Sequence, residues 1–177
     1  IDVQRLGIAL SAITTATIRA TLELARREST GIEFAVIAMG RYGGQELGLS
    51  SDADVLWVFR DRGAGDDAHK QAERVVKEIN RLTEDLRFPL DLDAGLRPEG
   101  KNGPVVRSLD AYAAYYESWS DIWETQALLR AVAVAGDETL CRDFETMADS
   151  VRYSRELTEE GLREIRRIKA RVENERL

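Results

Sequence analysis

Apolar and polar positions recur with two different periods along this chain, and the change of period outlines its elements. Residues 34–39 (FAVIAM) form a short continuous apolar run, and residues 52–61 (DADVLWVFRD) form a second that opens on two aspartates. Both read as buried strands. Between them lies a turn carrying Gly40, Gly43 and Gly44, followed by a polar stretch with Glu46 that reads as a short helix. Residues 3–28 place Leu6, Ile13, Ile18, Leu22 and Leu24 among alanines, which predicts a helix packed on the sheet and ended at Ser29-Thr30-Gly31. Residues 67–86 carry Ala68, Ala72, Val75, Val76, Ile79 and Leu82 at helical spacing, with Pro89 as the break.

Residues 90–93 (LDLD) alternate apolar and acidic like a half-exposed strand; a loop at 99–103 and a short strand at 104–106 come next. The second half is helical. Ser108 or Asp110 caps a helix toward Trp119, and a second helix from about Asp121 runs toward Ala131. The run 131–135 is too short to assign. A further helix extends from Gly136-Asp137 to about Tyr153, and a last one starts near Thr158, with Leu162, Ile165, Ile168 and Val172 on one side and Arg163, Arg166, Arg167, Lys169 and Arg171 around the rest. The expected fold class is α+β: a small mixed β-sheet flanked by helices, then a helical C-terminal part. Residues 1–107 are expected to form the core with its N-terminal helix, and 108–177 a helical extension packed on it.

Composition narrows the partners. At 177 residues and 44% hydrophobic the chain can bury a real core. A net charge of -7 argues against a non-specific nucleic-acid binder, which needs a basic footprint. The single cysteine, Cys141, cannot make an internal disulfide, which fits a reducing cytoplasm. No stretch is expected to approach the roughly 20 apolar residues of a membrane span, so no membrane partner is expected either. No signal peptide opens the chain, and the missing initiator Met suggests a fragment of a longer protein.

The chemistry lies where the strands carry acid. Side chains alternate along a strand, so Asp52 and Asp54 share one face, and Asp91 and Asp93 share one on the later strand. Like charges that close favour a hard cation between them, and Mg²⁺ takes oxygen ligands from carboxylates and phosphates. A glycine turn beside them offers N–H groups to phosphate oxygens. Together these point to metal-assisted phosphoryl or nucleotidyl transfer. Taken singly, a Gly-Gly turn is more often a tight connection and an acidic pair a solvated strand end; the order of all three sets this chain apart. His69 reads as a surface residue, Cys141 as buried and inert, and the aromatic residues Tyr112, Tyr115, Tyr116, Trp119 and Trp123 as packing.

The order of these features resembles the nucleotidyltransferase superfamily of DNA polymerase beta: a Gly-Ser or similar dipeptide, matched here by Gly40-Arg41, a gap, Asp-x-Asp, and a third carboxylate on a later strand. GRYGGQELGLSSDAD, DAGLRPEGKNGPVVRS and WETQALLRAVAVAGD further resemble, in order and spacing, the glutamine synthetase adenylyltransferase family. Its members show Gly-x-Gly-Lys-x-Gly-Gly-x-Glu-Leu, Ser-Asp-x-Asp, Leu-Arg-Pro-x-Gly and Trp-Glu-x-Gln-Ala-Leu. The resemblance covers most of residues 34–137. That family carries two such domains, an N-terminal one that removes AMP from glutamine synthetase and a C-terminal one that adds it. The Trp123-Glu124-x-Gln126-Ala127-Leu128 block is closer to the second.

The resemblance implies a nucleotidyltransferase fold, with Asp52, Asp54 and Asp93 as catalytic and metal-binding carboxylates. Asp93 is chosen because it lies three residues before Leu96-Arg97-Pro98; Asp91 is its rival on the same strand face. Gly40, Arg41, Gly43, Gly44 and Ser51 are implied to hold the triphosphate of ATP, with Arg41 where the family usually has Lys. Gly95 stands where many members have Arg, so no phosphate contact is expected there, and Arg97 remains the candidate. The cofactor implied is Mg²⁺, two ions, with ATP as substrate. Implied partners are glutamine synthetase, whose tyrosine hydroxyl would receive AMP, and a PII-type nitrogen signalling protein acting through the full-length enzyme. Two alternatives stay open: phosphorolytic removal of AMP, and a nucleotide-sensing domain without turnover.

Overall fold

The computed structural model describes residues 2–84, 89–119, 121–152 and 159–174, with backbone alone at 160, 164, 168 and 171–174. Its centre is a pair of antiparallel strands, β1 (Ile32–Ala38) and β2 (Ala53–Asp61), in a register that sets Phe34 against Phe59 and Ala38 against Val55. β3 (Leu92–Asp93) and β4 (Val106–Ser108) run parallel to successive stretches of β2, and β5 (Val132–Gly136) runs antiparallel to β1. The sheet order is β3-β2-β1-β5, with β4 also on β2. The expected small mixed sheet flanked by helices is what forms.

The unbroken apolar runs of β1 and β2 arise from cover on both faces. Phe34, Val36, Val55 and Trp57 point to one side, where α1 (Val3–Ala25) supplies Ile18 and Leu22. After the short α2 (Gly40–Gly43), α3 (Ala68–Thr83) adds Ala72, Val75 and Ile79 to that same layer. Ala35, Ile37, Leu56 and Val58 point to the other side. There α4 (Leu109–Ser118) brings Tyr112 and Tyr116; beyond α5 (Ile122–Ala127), α6 (Glu138–Arg152) brings Leu140 and Phe144. Each large side chain buried this way contributes about 1.5–3 kcal/mol.

The inner face of α1 departs from expectation. Ile18 and Leu22 are buried, but Ile13 is 64% and Leu24 45% exposed, and the other inward positions include Gly7, Ser11, Thr14 and Thr21. At Gly7 close approach is the reason: a Cβ there would stand 2.9 Å from the Gln45 carbonyl oxygen. Residues 3–28 are also long enough, and over an 18-residue window with mean hydropathy 1.2 apolar enough, to cross a membrane by length and composition alone, which corrects the expectation that no stretch comes near. In this fold they pack on α3 and β5.

Residues 131–135, unassigned from sequence, fall largely in β5. Side chains close its outer edge: Arg19 Nε donates to the Val134 carbonyl at 2.7 Å, and the Ala133 N–H donates to Glu145 Oε1 at 3.0 Å. An edge strand covered in this way offers few open backbone groups. Ser108 caps α4, its Oγ accepting from the Ala111 N–H at 3.2 Å. α5 ends sooner than expected, in a 3-10 turn at Leu128–Arg130. Trp119, expected to pack, is 76% exposed. α7 (Glu159–Asn174) contacts α5, with Ile165 half-buried. The side chains of Ile168 and Val172 lie outside the described residues, as do 85–88 and 153–158, where the expected ends of three helices fall.

Candidate active site

Strand register brings the carboxylates together. β3 pairs with β2 at two positions, Ala53 with Leu92 and Asp54 with Asp93, and the Ala53 N–H donates to the Asp91 carbonyl at 2.9 Å. Paired residues on neighbouring strands share a face. Asp54 and Asp93 therefore meet, and Asp52, two residues before Asp54, joins them. Ligand oxygens of these three all lie within 4.8 Å of one another, Asp52 and Asp93 exposed and Asp54 half-buried. Asp91 has no part in the cluster.

Holding like charges this close is unfavourable by about 3 kcal/mol per pair at an effective dielectric near 20, before screening. Asp54 shows it. Desolvation first, then the charges of Asp52 and Asp93, push its carboxyl up from 3.8 to about 6, while Arg41 opposes. A divalent cation would reverse that balance, so the donor set fits a hard, oxygen-seeking metal.

Gly40 lets the cluster close against the turn. Its φ is +50, and a Cβ there would stand 2.4 Å from Asp54 Oδ2. The helix α2 is built on the glycines themselves, in place of the expected helix after them; Glu46 lies beyond it, in irregular chain. Arg41 faces the carboxylates, 3.9 Å from Asp52. Gly43 is also required by packing, since a Cβ there would fall 1.8 Å from the Arg130 carbonyl oxygen. Gly44 lies beside the Arg130 guanidinium, which Glu46 holds at 2.6 and 3.3 Å. Ser51 Oγ accepts from the Gly48 N–H at 3.1 Å and closes the turn that leads into Asp52.

On the other side of the cluster, residues 94–103 loop back from β3. Arg97 is buried within this loop: Nε donates to the Gly103 carbonyl (3.0 Å), Nη1 to Ala94 (2.8 Å) and Nη2 to Lys101 (3.2 Å). Three of its five N–H donors serve the loop itself. The Gly95 N–H donates to Asp93 Oδ1 at 2.8 Å, and a Cβ at Gly95 would stand 3.1 Å from both Asp93 oxygens. Glycine here keeps the space over Asp93 open.

The profile of the glutamate-ammonia ligase adenylyltransferase family matches residues 2–147. The chain belongs to this family. The bifunctional glutamine synthetase adenylyltransferase/adenylyl-removing enzyme of Leifsonia xyli subsp. xyli is 56% identical over 179 residues, covering 99% of this chain and 18% of the relative. Enzymes of the same name from Streptomyces coelicolor and Mycobacterium tuberculosis are 50% and 46% identical over 184 and 188 residues, covering 99% and 100% of this chain. The chain spans 18–19% of the length of these relatives.

Two residues in the family blocks acquire positions that sequence reading had not assigned. Glu124, 1% exposed, accepts from the backbone N–H groups of Glu99 (3.0 Å) and Asp121 (2.9 Å) and from the Tyr115 hydroxyl. Asp121-x-x-Glu124 has the form of a capping box, a signal visible in the sequence. Arg130 had no such signal, since Glu46 and Gly44 reach it only through the fold. A cavity between α1 and β5, lined by Ser11, Thr15, Arg19, Tyr42 and Val134 among others, holds none of the three carboxylates. Chemistry and cavity are separate here.

Proposed function

We propose that this chain transfers AMP from ATP to a tyrosine hydroxyl of glutamine synthetase. The observation that carries the proposal is the convergence of Asp52, Asp54 and Asp93 beside the Gly40 turn, in a chain of the adenylyltransferase family. The names of its relatives supply the protein substrate.

Mg²⁺ fits the donor set: Asp52, Asp54 and Asp93 would hold it, and two ions would be expected between them and the triphosphate. When bound, such ions neutralise the triphosphate and the charge that develops on the attacking and leaving oxygens. The chain's own residues do the rest. Asp54, partly desolvated on the sheet, sets a rigid floor; Arg41, beside Asp52, would face the incoming phosphates, with Gly40, Gly43, Gly44 and Ser51 of the same turn as further candidates to hold them. The tyrosine oxygen bonds to the α-phosphorus as pyrophosphate leaves, and the phenol proton passes to exposed Asp93. Such a role belongs in the cytoplasm, where Cys141 stays a thiol, within a longer enzyme that a PII-type signalling protein addresses.

Removal of AMP is the second reading, because the relatives' names carry both activities. One pair of incubations separates them. With α-labelled ATP, Mg²⁺ and unmodified glutamine synthetase, label should appear on the synthetase. Release of ADP from adenylylated synthetase by phosphate, with no labelling from ATP, would reverse the direction.

A further inference from the structure

We propose that Glu124 is a positioning residue for Asp93, holding the third carboxylate in place from the helical half of the chain. The proposal rests on the reading of Asp52, Asp54 and Asp93 as a metal centre. β3 is two residues long and pairs with β2 at two positions, so the strand alone cannot fix Asp93. The loop that leaves β3 must supply the rest of the constraint.

The 94–103 loop is tied at three places. Arg97 binds the carbonyls of Ala94, Lys101 and Gly103, which makes the loop one body from the residue after Asp93 to its end. The Gly95 N–H holds Asp93 Oδ1 directly. The third tie crosses to another element: the Glu99 N–H donates to Glu124 Oε1 at 3.0 Å, with Glu99 at a φ of +64 that a non-glycine residue adopts only under constraint. The Glu99 side chain pairs with Arg107, whose guanidinium lies over the Tyr115 ring at 5.3 Å.

Glu124 itself is fixed on every side. Its Oε2 accepts from the Asp121 N–H at 2.9 Å, and the Tyr115 hydroxyl lies 3.0 and 3.1 Å from its two oxygens. Burial, then this shared carboxylate, pushes the Tyr115 phenol up to about 12, so it stays a donor. A buried carboxylate with backbone donors on both oxygens has no substitute among the other side chains. In Glu124→Gln one oxygen becomes an NH₂ group, and whichever way the amide sits, that group meets a backbone N–H, donor against donor. The loop loses its anchor while side-chain volume is kept.

The test is Mn²⁺ affinity, read from the spin-resonance signal of free Mn²⁺, with thermal melts in EDTA alongside. Residues that orient metal ligands change affinity by about 10–100-fold. Glu124→Gln should weaken Mn²⁺ binding about tenfold in the parent and change it no further in an Asp93→Asn background, because it acts through Asp93. Parental affinity in Glu124→Gln, or an equal loss in both backgrounds, overturns the proposal. Should Glu124→Gln show no cooperative melt, Tyr115→Phe takes its place: it removes one donor with the ring kept, and is expected to give the same dependence on Asp93 at smaller amplitude, with unchanged affinity overturning the idea. A parent that binds no Mn²⁺ would end the metal-centre reading and this one with it; a parent that binds while Glu124→Gln binds equally ends this one alone.

Discussion

Asp54 and Asp93 are partners in a two-rung parallel ladder, and that pairing decides which carboxylate of the 90–93 segment reaches the site. Asp91 uses its backbone carbonyl to hold Ala53 while its side chain stays out of the cluster. Asp93→Asn should therefore abolish AMP transfer to glutamine synthetase, and Asp91→Asn should stay within about twofold of the parent, since one changes a metal ligand and the other does not. Equal loss in both would remove the register argument.

The raised carboxyl of Asp54 predicts a pH signature. Native Asp54 keeps its proton to about pH 6, whereas the ordinary value is 3.8. Between these the native state binds more protons than the unfolded one, so stability falls as pH rises through that window and the full penalty is present above it. The shift corresponds to about 3 kcal/mol at 1.36 kcal/mol per unit, which solvent around this half-exposed group reduces to on the order of 1 kcal/mol. In EDTA melts, Asp54→Asn should exceed the parent by that amount at pH 7.5 and match it near pH 4. A variant less stable than the parent at pH 7.5 would make Asp54 a structural acceptor.

Two glycines with similar positive φ separate backbone strain from site geometry. Gly65 has a φ of +57 with nothing within 4 Å of a Cβ, while at Gly40, φ +50, that Cβ meets Asp54. Gly65→Ala should lose roughly 1 kcal/mol of stability and keep Mn²⁺ binding. Gly40→Ala should lose more and weaken Mn²⁺ by about tenfold or beyond. Parental Mn²⁺ affinity in Gly40→Ala would mean the carboxylate does not depend on the turn.

Much of this site is readable before the fold is known, because period-two alternation puts Asp52 and Asp54 on one face whatever surrounds them. The choice between Asp91 and Asp93 is not of that kind; pairing with β2 makes it. Strand β5 is not legible in the sequence because the alanine and valine run at 131–135 is too short to assign, and its place beside β1 is a long-range pairing. The inward face of α1 is hard to read for a different reason: close approach to Gln45 requires glycine at Gly7, and Ser11, Thr14 and Thr21 are also buried there, so hydrophobicity alone does not mark that side. A charged residue in a family block suggests a ligand contact, yet the carbonyls that claim Arg97 come from its own loop and show only in three dimensions.

That loop role is itself testable. Arg97→Lys keeps the charge but cannot reach three carbonyls with one planar fork. It should lower stability by about 1–3 kcal/mol in denaturant melts, the loss expected when buried acceptors go unpaired, with KM for ATP near the parent's. A raised KM at unchanged stability would return Arg97 to the phosphates.

The most direct measurement is the transfer of label from α-labelled ATP to glutamine synthetase as Mg²⁺ is raised, for the parent beside Asp52→Asn, Asp54→Asn and Asp93→Asn. Metal-borne charge stabilisation of several kcal/mol makes each lost ligand worth about a thousandfold in rate. The expected result is Mg²⁺-dependent labelling by the parent and losses of that size in all three variants. Labelling that persists in EDTA, or a parental rate in Asp54→Asn, would contradict the assignment of this cluster as the centre that moves AMP.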